Sequence, residues 1–271
     1  MGGNDFIERL PLGGGEHDHG GFSHIFPAHA IASPVQGGAV SAVKSREKAG
    51  FMDVASNAVF WQEKWERGET GFHEAGANPL LTRHIAALDL SAGARIFVPL
   101  CGMSQDMVWL AGQGYRVIGC ELSDIAVGCF FDNLGVTPDV VQVGALRRFS
   151  AGGICIFAGN IFDLTPDVLG PVEAIYDRAA LIALPEDLRR VYVTHLLALT
   201  GPVSELLVTL AYDQSCLKGP PFSVDEAFVR EVYGEAYEIR RLENREVEGG
   251  LKGRCPASES VWQFSPLPAR S

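Results

Sequence analysis

The chain has 271 residues, of which 47% are hydrophobic and 20% are charged, a composition typical of a folded globular protein. Its formal net charge of -11 argues against nucleic acids and anionic membrane surfaces as partners, because phosphate binding requires a basic face. No apolar run reaches the roughly 20 residues that a membrane-spanning helix needs. The six cysteines lack CxxC spacing, which predicts reduced thiols rather than disulfides or a metal site. We therefore expect a cytoplasmic protein.

Residues 1–51 differ in composition from the rest of the chain. They are rich in glycine, show no sustained apolar period and contain four of the seven histidines. Such a segment cannot bury enough apolar surface to offset the entropy lost on ordering. We expect a flexible N-terminal extension over 1–51 and a single domain over 52–271, with Met52 as a candidate alternative start. The histidines near His17 and His19 leave a metal-binding tail as a second, less favoured interpretation.

From residue 52 onward, patterns typical of helices and strands alternate. The predicted helices cover 53–67, 104–112, 124–133, 185–199 and 223–233, and the predicted strands cover 95–100, 116–122, 154–158, 174–176, 206–210, 237–241 and 260–264. This alternation requires crossover connections, so it predicts an α/β fold with a mainly parallel sheet and helices on both faces. The last two strands predict an antiparallel edge. Ser223 and Glu226 predict a capping box at the start of the last helix.

A turn of sequence Pro99-Leu100-Cys101-Gly102 follows the first predicted strand. Ligands of open parallel sheets bind beyond the carboxyl ends of the strands, so this turn is placed to approach a ligand closely. The G-x-G-x-x-G spacing of dinucleotide sites is absent, and pyrophosphate binding depends on such glycines. A ligand without phosphates is therefore favoured, and an ordinary tight turn is the alternative.

Glu121 ends the second predicted strand, nineteen residues after Gly102. This is close to the roughly 20-residue spacing of the acid that receives ribose hydroxyls in nucleotide-binding folds. Because a carboxylate accepts both hydroxyl protons at once, we favour a ribose ligand over a solvated charge at a strand end.

Asp177 and Arg178 follow the strand predicted over 174–176. An arginine stays protonated and can hold a carboxylate or a developing anion, so Arg178 is a candidate for a charge that faces the cleft. Pairing of Arg178 with Asp177 or with another acid is equally compatible with the sequence.

Aromatic residues precede the sheet, among them Trp61 and Trp65 on one helical face, and then Phe72 beside His73. Aromatic stripes at helical spacing are usually core, but indoles at the mouth of a cleft would also stack on a purine or shield a sulfonium cation. The loop over 219–222 is either a stiff lid for the substrate or a simple connector.

Taken together, these segments resemble the thiopurine S-methyltransferase family over residues 60–264. The matching stretches, in order, are Phe60-Trp61-Gln62-Glu63-Lys64-Trp65, Gly71-Phe72-His73, Val98-Pro99-Leu100-Cys101-Gly102, Gly119-Cys120-Glu121-Leu122-Ser123, Tyr176-Asp177-Arg178-Ala179-Ala180-Leu181, and Tyr212-Asp213 with Gly219-Pro220-Pro221-Phe222. The chain departs from the family's usual pattern at Met103, where relatives commonly carry lysine, and around Lys252 and Arg254, where the register is uncertain.

The resemblance implies a class I methyltransferase fold, a seven-stranded sheet whose last strand is antiparallel. It implies that the cofactor is S-adenosylmethionine and that the residues around it are Trp65, Leu100, Glu121, Asn160, Ile161 and Arg178. It also implies that Phe72 and Arg178 contact the methyl acceptor. We expect a monomer that acts on a small molecule.

Methyl transfer from a sulfonium is an in-line displacement, so the protein mainly needs to align the acceptor and exclude water. We expect Arg178 to hold the acceptor, a small thiol or a thiopurine-like compound, in its anionic form. Selenium, tellurium or small inorganic sulfur acceptors are alternatives that the fold does not separate. A nicotinamide-dependent oxidoreductase and a non-catalytic nucleotide-binding module are the competing classes, and the missing glycine fingerprint counts against the oxidoreductase.

Overall fold

The computed structural model describes residues 54–71 and 74–268. Within them, the helices are α1 (Val54–Glu66), α2 (Pro79–His84), α3 (Gln105–Gly112), α4 (Asp124–Asn133), α5 (Pro166–Leu169), α6 (Ala180–Ala183), α7 (Glu186–Thr200) and α8 (Glu226–Tyr233). The strands are β1 (Arg95–Pro99), β2 (Arg116–Glu121), β3 (Asp139–Val143), β4 (Leu146–Ala151), β5 (Ile154–Ala158), β6 (Ala174–Arg178), β7 (Ser204–Tyr212), β8 (Tyr237–Glu246) and β9 (Ala257–Pro266). The predicted extension over 1–51 lies outside the described residues, and the boundary at residue 52 stays a prediction.

The strands form one nine-stranded sheet in the order β3-β4-β5-β2-β1-β6-β7-β9-β8. The five central strands, β5, β2, β1, β6 and β7, run parallel. β9 is antiparallel to β7, and β8 is antiparallel to β9. The predicted α/β class and the antiparallel strand pair at the edge are therefore confirmed.

The predicted strand count was wrong, because β3 and β4 form an extra antiparallel hairpin beside β5. All but one of the residues of β3 are exposed, so this strand has no apolar face that would produce an alternating pattern in the sequence. The seven strands that were predicted are all present, and the hairpin extends their sheet at one edge.

Apolar side chains alternate between the two faces of the sheet, as the twofold period of a strand requires. In β1, Phe97 packs on one face with residues of α7 and α8. Its neighbours Ile96 and Val98 pack on the other face with residues of α2, α3 and α4. The central strands are buried on both sides, which explains why they are near-continuous apolar runs.

Helix starts carry side-chain caps next to the carboxyl ends of the strands. Ser104 and Ser123 accept hydrogen bonds from the backbone at the starts of α3 and α4. The predicted capping box of the last helix was wrong, because Asp225 caps α8 while the Ser223 hydroxyl accepts a hydrogen bond from the amide of Tyr212. Among the described residues, no helix has the length and apolarity that crossing a membrane would take.

Candidate functional site

A cleft with an empty volume of about 1090 Å³, solvent at its mouth included, opens beyond the carboxyl ends of β1, β2, β5 and β6. Helix α1 covers one side of the cleft with Trp61 and Trp65. The structure brings the six predicted cofactor residues together, since Trp65, Leu100, Glu121, Asn160, Ile161 and Arg178 all line this cleft. The predicted acceptor residue Phe72 lies outside the described residues.

The turn after β1 is bonded directly to β2. Leu100 and Gly102 both have positive φ angles, 45° and 53°, and a non-glycine residue adopts this conformation only at a cost. The amide of Cys101 donates to the carbonyl of Cys120 at 3.0 Å. Behind the turn, a Cβ added at Gly119 would stand 2.6 Å from Cys101 Sγ. Gly119 therefore allows the turn to lie close against β2.

Glu121 is 5% exposed and both of its carboxylate oxygens hold backbone amides. Oε2 accepts from the amide of Gly102 at 2.9 Å and Oε1 accepts from the amide of Ser123 at 2.8 Å. Burial raises the pKa of the carboxyl, and these amides oppose the shift. Since each carboxylate oxygen has two acceptor positions, one on each remains for a ligand hydroxyl.

Asn160 and Ile161 follow β5 on the opposite side of Glu121 from the turn. The Asn160 side chain accepts from the amide of Phe162 at 3.1 Å, and the carbonyl of Ile161 accepts from His195 Nε2 at 2.8 Å. These contacts fix the local backbone where it lines the cleft.

Arg178 and Asp177 point in different directions, so of the two pairings that the sequence left open, the one with Asp177 is wrong and the one with another acid is confirmed. Asp177 is fully buried and accepts from the hydroxyl of Tyr192 at 2.7 Å. Arg178 instead forms an ion pair with Glu74 and lies 3.9 Å from a carboxylate oxygen of Asp106. With 20% of its side chain exposed, Arg178 borders the cleft.

Sequence patterns did not point to Glu74, Asn57 or Gln105, which also line the cleft. Asn57 lies one helical turn before Trp61, so the periodicity of α1 would have found it. Glu74 lies outside the helices and strands and has no such signal. The loop over 219–222 does not line the cleft. Lys252 Nζ donates a hydrogen bond to the carbonyl of Pro220 in this loop, at 3.3 Å. Arg254 borders a separate depression at the connection between β8 and β9.

The polar groups of the cleft fit S-adenosylmethionine better than a dinucleotide. Glu121 has acceptor positions for ribose hydroxyls, and Arg178 is the one cationic side chain among the described lining residues, whereas pyrophosphate binding needs several converging donors. Indoles on the covering helix suit a sulfonium cation. This cleft and the order of the central strands define a class I methyltransferase.

Solved structures share this fold. The 1,6-didemethyltoxoflavin-N1-methyltransferase of Burkholderia thailandensis, with bound S-adenosylhomocysteine, is similar with a TM-score of 0.56 and 14% identity, over 82% of this chain and 93% of that chain. The magnesium protoporphyrin IX methyltransferase of Synechocystis PCC 6803 has a TM-score of 0.51 and 14% identity, over 76% and 99% of the two chains.

The sequence comparisons are more specific. The profile of the family Thiopurine S-methyltransferase (TPMT) matches residues 56–259. A thiopurine S-methyltransferase of Gluconobacter oxydans (strain 621H) is 80% identical over 220 residues, 81% of this chain and 100% of the relative. One of Xanthobacter autotrophicus is 52% identical over 75% of this chain and 96% of the relative. The chain belongs to the thiopurine S-methyltransferase family and is an S-methyltransferase that depends on S-adenosylmethionine.

Proposed function

We propose that this enzyme transfers the methyl group of S-adenosylmethionine to the sulfur of a small thiol or thiopurine-like acceptor, bound beside Arg178. The observation that carries the proposal is one cleft whose described lining combines a buried carboxylate, Glu121, with one cationic side chain, Arg178. The names of the similar proteins, thiopurine S-methyltransferases, support a sulfur acceptor. We further expect a monomer in the cytoplasm.

Within this proposal, Glu121 accepts the ribose hydroxyls through its two remaining acceptor positions. The backbone of Leu100 and of Asn160-Ile161 borders the adenosyl group, and Trp65 covers it from α1. When bound, S-adenosylmethionine supplies an activated methyl group that a nucleophile displaces in line.

Arg178 holds the acceptor and favours its thiolate form, because a guanidinium stabilises an adjacent anion at any relevant pH. A thiolate needs no dedicated base at the moment of transfer. Alignment and exclusion of water by the covering helix therefore account for most of what the protein contributes. Phe72 completes the acceptor pocket in this proposal.

The test is a product assay by mass spectrometry with 6-mercaptopurine and with hypoxanthine, its oxygen analogue, plus selenite and tellurite in separate reactions. We expect S-methylated purine and S-adenosylhomocysteine in equal amounts from the thiol and no product from hypoxanthine. Methylation of selenite or tellurite alone would assign the alternative acceptors. Binding of S-adenosylhomocysteine without turnover of any acceptor would assign a non-catalytic module.

Arg178→Lys keeps a positive charge but loses the planar fork of donors, so we expect kcat/KM for the thiol to fall about 30-fold or more, a loss of roughly 2 kcal/mol. Arg190→Lys is the matched control, since Arg190 pairs with Glu186 and Glu231 on the surface. Equal activity of the two variants would remove Arg178 from the reaction.

A further inference from the structure

Asp106 is a buried carboxylate that contacts Asn78, Tyr176 and Arg178. It lies in the first turn of α3 and is 1% exposed. One oxygen accepts from the amide of Asn78 at 2.6 Å, and the other accepts from the hydroxyl of Tyr176 at 3.0 Å. The second oxygen is also 3.9 Å from Nη1 of Arg178. Asp106 is thus held from two sides and faces the guanidinium from the protein interior.

Glu74 contacts the same guanidinium from the cleft side. It pairs with Nη2 of Arg178, and 43% of its side chain is exposed. Its other oxygen accepts a long hydrogen bond, 3.3 Å, from the side-chain amide of Asn78. Because water reaches the Glu74 carboxylate, it competes with the guanidinium for this partner and weakens the pair. The Glu74 contact is therefore the one that an incoming ligand can replace.

The two carboxylates and one guanidinium sum to one excess negative charge, which disfavours any anion beside Arg178. An anionic acceptor that reaches Nη2 must displace Glu74, while Asp106 still faces Nη1. The short segment from Glu74 to Asn78 is fixed only at its far end, where the amide of Asn78 donates to Asp106 and the Asn78 side chain caps α2 through the amide of Leu80 at 2.8 Å. Glu74 lies four residues earlier, outside any helix.

We propose that Asp106 is a positioning residue for Arg178 and that Glu74 is a displaceable partner that selects against weak or poorly placed anions at the acceptor site. This inference rests on the proposed function and specifies its substrate class: acceptors bind as anions, in exchange for the Glu74 carboxylate.

The first test compares Glu74→Gln with Glu69→Gln. Glu69 is a nearby exposed glutamate that pairs with Lys64 and does not line the cleft. Calorimetry with 6-mercaptopurine on enzyme saturated with S-adenosylhomocysteine measures acceptor binding without turnover. We expect Glu74→Gln to tighten the Kd three- to tenfold and to lower KM by the same factor with kcat within twofold, and Glu69→Gln to change neither.

The second test compares Asp106→Asn with Tyr176→Phe. Both variants lose or weaken the hydrogen bond between these two side chains, but only Asp106→Asn removes the charge that faces Arg178. Removing the Asp106 charge also reduces the repulsion of an anion, but the proposed positioning role requires the loss of a fixed guanidinium orientation to be the larger effect. We therefore expect Asp106→Asn to raise the acceptor KM about tenfold and to lower kcat, and Tyr176→Phe to change KM less than threefold at a similar melting temperature.

If the wild type methylates the thiol and Glu74→Gln binds the acceptor with the same affinity as the wild type, the acceptor does not replace Glu74 at Arg178. This result would overturn the inference and leave the proposed function intact. A gain in affinity for S-adenosylhomocysteine but not for the thiol would also overturn it, since the displaced partner would then be the cofactor's carboxylate. Equal KM changes in Asp106→Asn and Tyr176→Phe would overturn the positioning role of Asp106. Absence of thiol methylation by the wild type would instead be a failure of the proposed function.

Discussion

Replacing Glu121 by glutamine keeps the size of the side chain and removes its charge. In the wild type, the two carboxylate oxygens each accept one backbone amide, at 2.9 and 2.8 Å, and each has one acceptor position left for a ribose hydroxyl. Glutamine has a single oxygen, so its NH₂ group must face one of the two backbone amides. The variant therefore loses a charged acceptor toward the ligand and one contact that fixes the turn after β1.

The loss of ligand affinity should be larger than the change in stability. A hydrogen bond to a charged group contributes about 1.5–3 kcal/mol and one to a neutral group about 0.5–1.5 kcal/mol. In the variant one hydroxyl donates to the neutral amide oxygen and the other must accept from the new NH₂ group. Replacing two hydrogen bonds to a charged group by two neutral ones thus costs roughly 2–3 kcal/mol, which is about a 30- to 160-fold weaker Kd. Burial raises the pKa of Glu121, so removing the charge also relieves a cost of folding. We expect the free energy of unfolding to change by only about 1 kcal/mol.

Calorimetry with S-adenosylhomocysteine measures the affinity, and urea unfolding measures the stability. Glu205→Gln is the matched control, because Glu205 is a fully buried glutamate that does not line the cleft. The control should bind S-adenosylhomocysteine as the wild type does. If Glu121→Gln binds it within threefold of the wild type, the assignment of Glu121 to the ribose is refuted.

Two further predictions concern Asp177 and Gly119, which lie behind the residues that line the cleft. Burial raises the pKa of Asp177 to about 6, above the ~3.9 of an ordinary aspartate, and hydrogen bonds from Tyr192 and from the amides of Leu181 and Ala180 oppose this shift. Because the folded pKa is raised, the stabilisation is fully present below about pH 4 and is lost as the pH rises through 6, roughly 3 kcal/mol in all. Asp177→Asn should flatten this part of the profile in urea unfolding, and an unchanged slope would contradict the shift. Gly119→Ala should destabilise the protein by about 1–3 kcal/mol and weaken S-adenosylhomocysteine binding, since the new Cβ would stand 2.6 Å from Cys101 Sγ. Adding Cys101→Ala should restore much of the stability and of the affinity for S-adenosylhomocysteine. A double variant that is as unstable and binds as weakly as Gly119→Ala would show that the new Cβ does not act by displacing the turn after β1.

The central sheet could be predicted because its strands are apolar on both faces and are separated by regular helices. The same regularity places the turn after β1 and Glu121 at one edge of the sheet, as their spacing predicts, and the binding of a ribose there stays a prediction. The hairpin of β3 and β4 could not be predicted, since β3 is almost wholly exposed and depends on pairing rather than on burial. The cap of α8 was misassigned because Ser223 bonds the amide of Tyr212, a partner that lies eleven residues away in the chain.

The surroundings of Arg178 were beyond prediction for a different reason. Its partner Glu74 is 104 residues distant in the chain, and Asp106 lies on a helix whose range was predicted without any indication of what its side chains contact. No local spacing links these residues. The direction of Asp177, away from Arg178, likewise depends on where α7 places Tyr192.

The most direct measurement is a crystal structure of the enzyme with S-adenosylhomocysteine and a thiol acceptor. We expect both ribose hydroxyls to donate to the Glu121 carboxylate, the acceptor sulfur to lie against the Arg178 guanidinium, and the sulfur of S-adenosylhomocysteine to face the acceptor sulfur. A complex in which Glu121 contacts no ribose, or in which the acceptor lies away from Arg178, would contradict the assignment of this cleft as the site of methyl transfer.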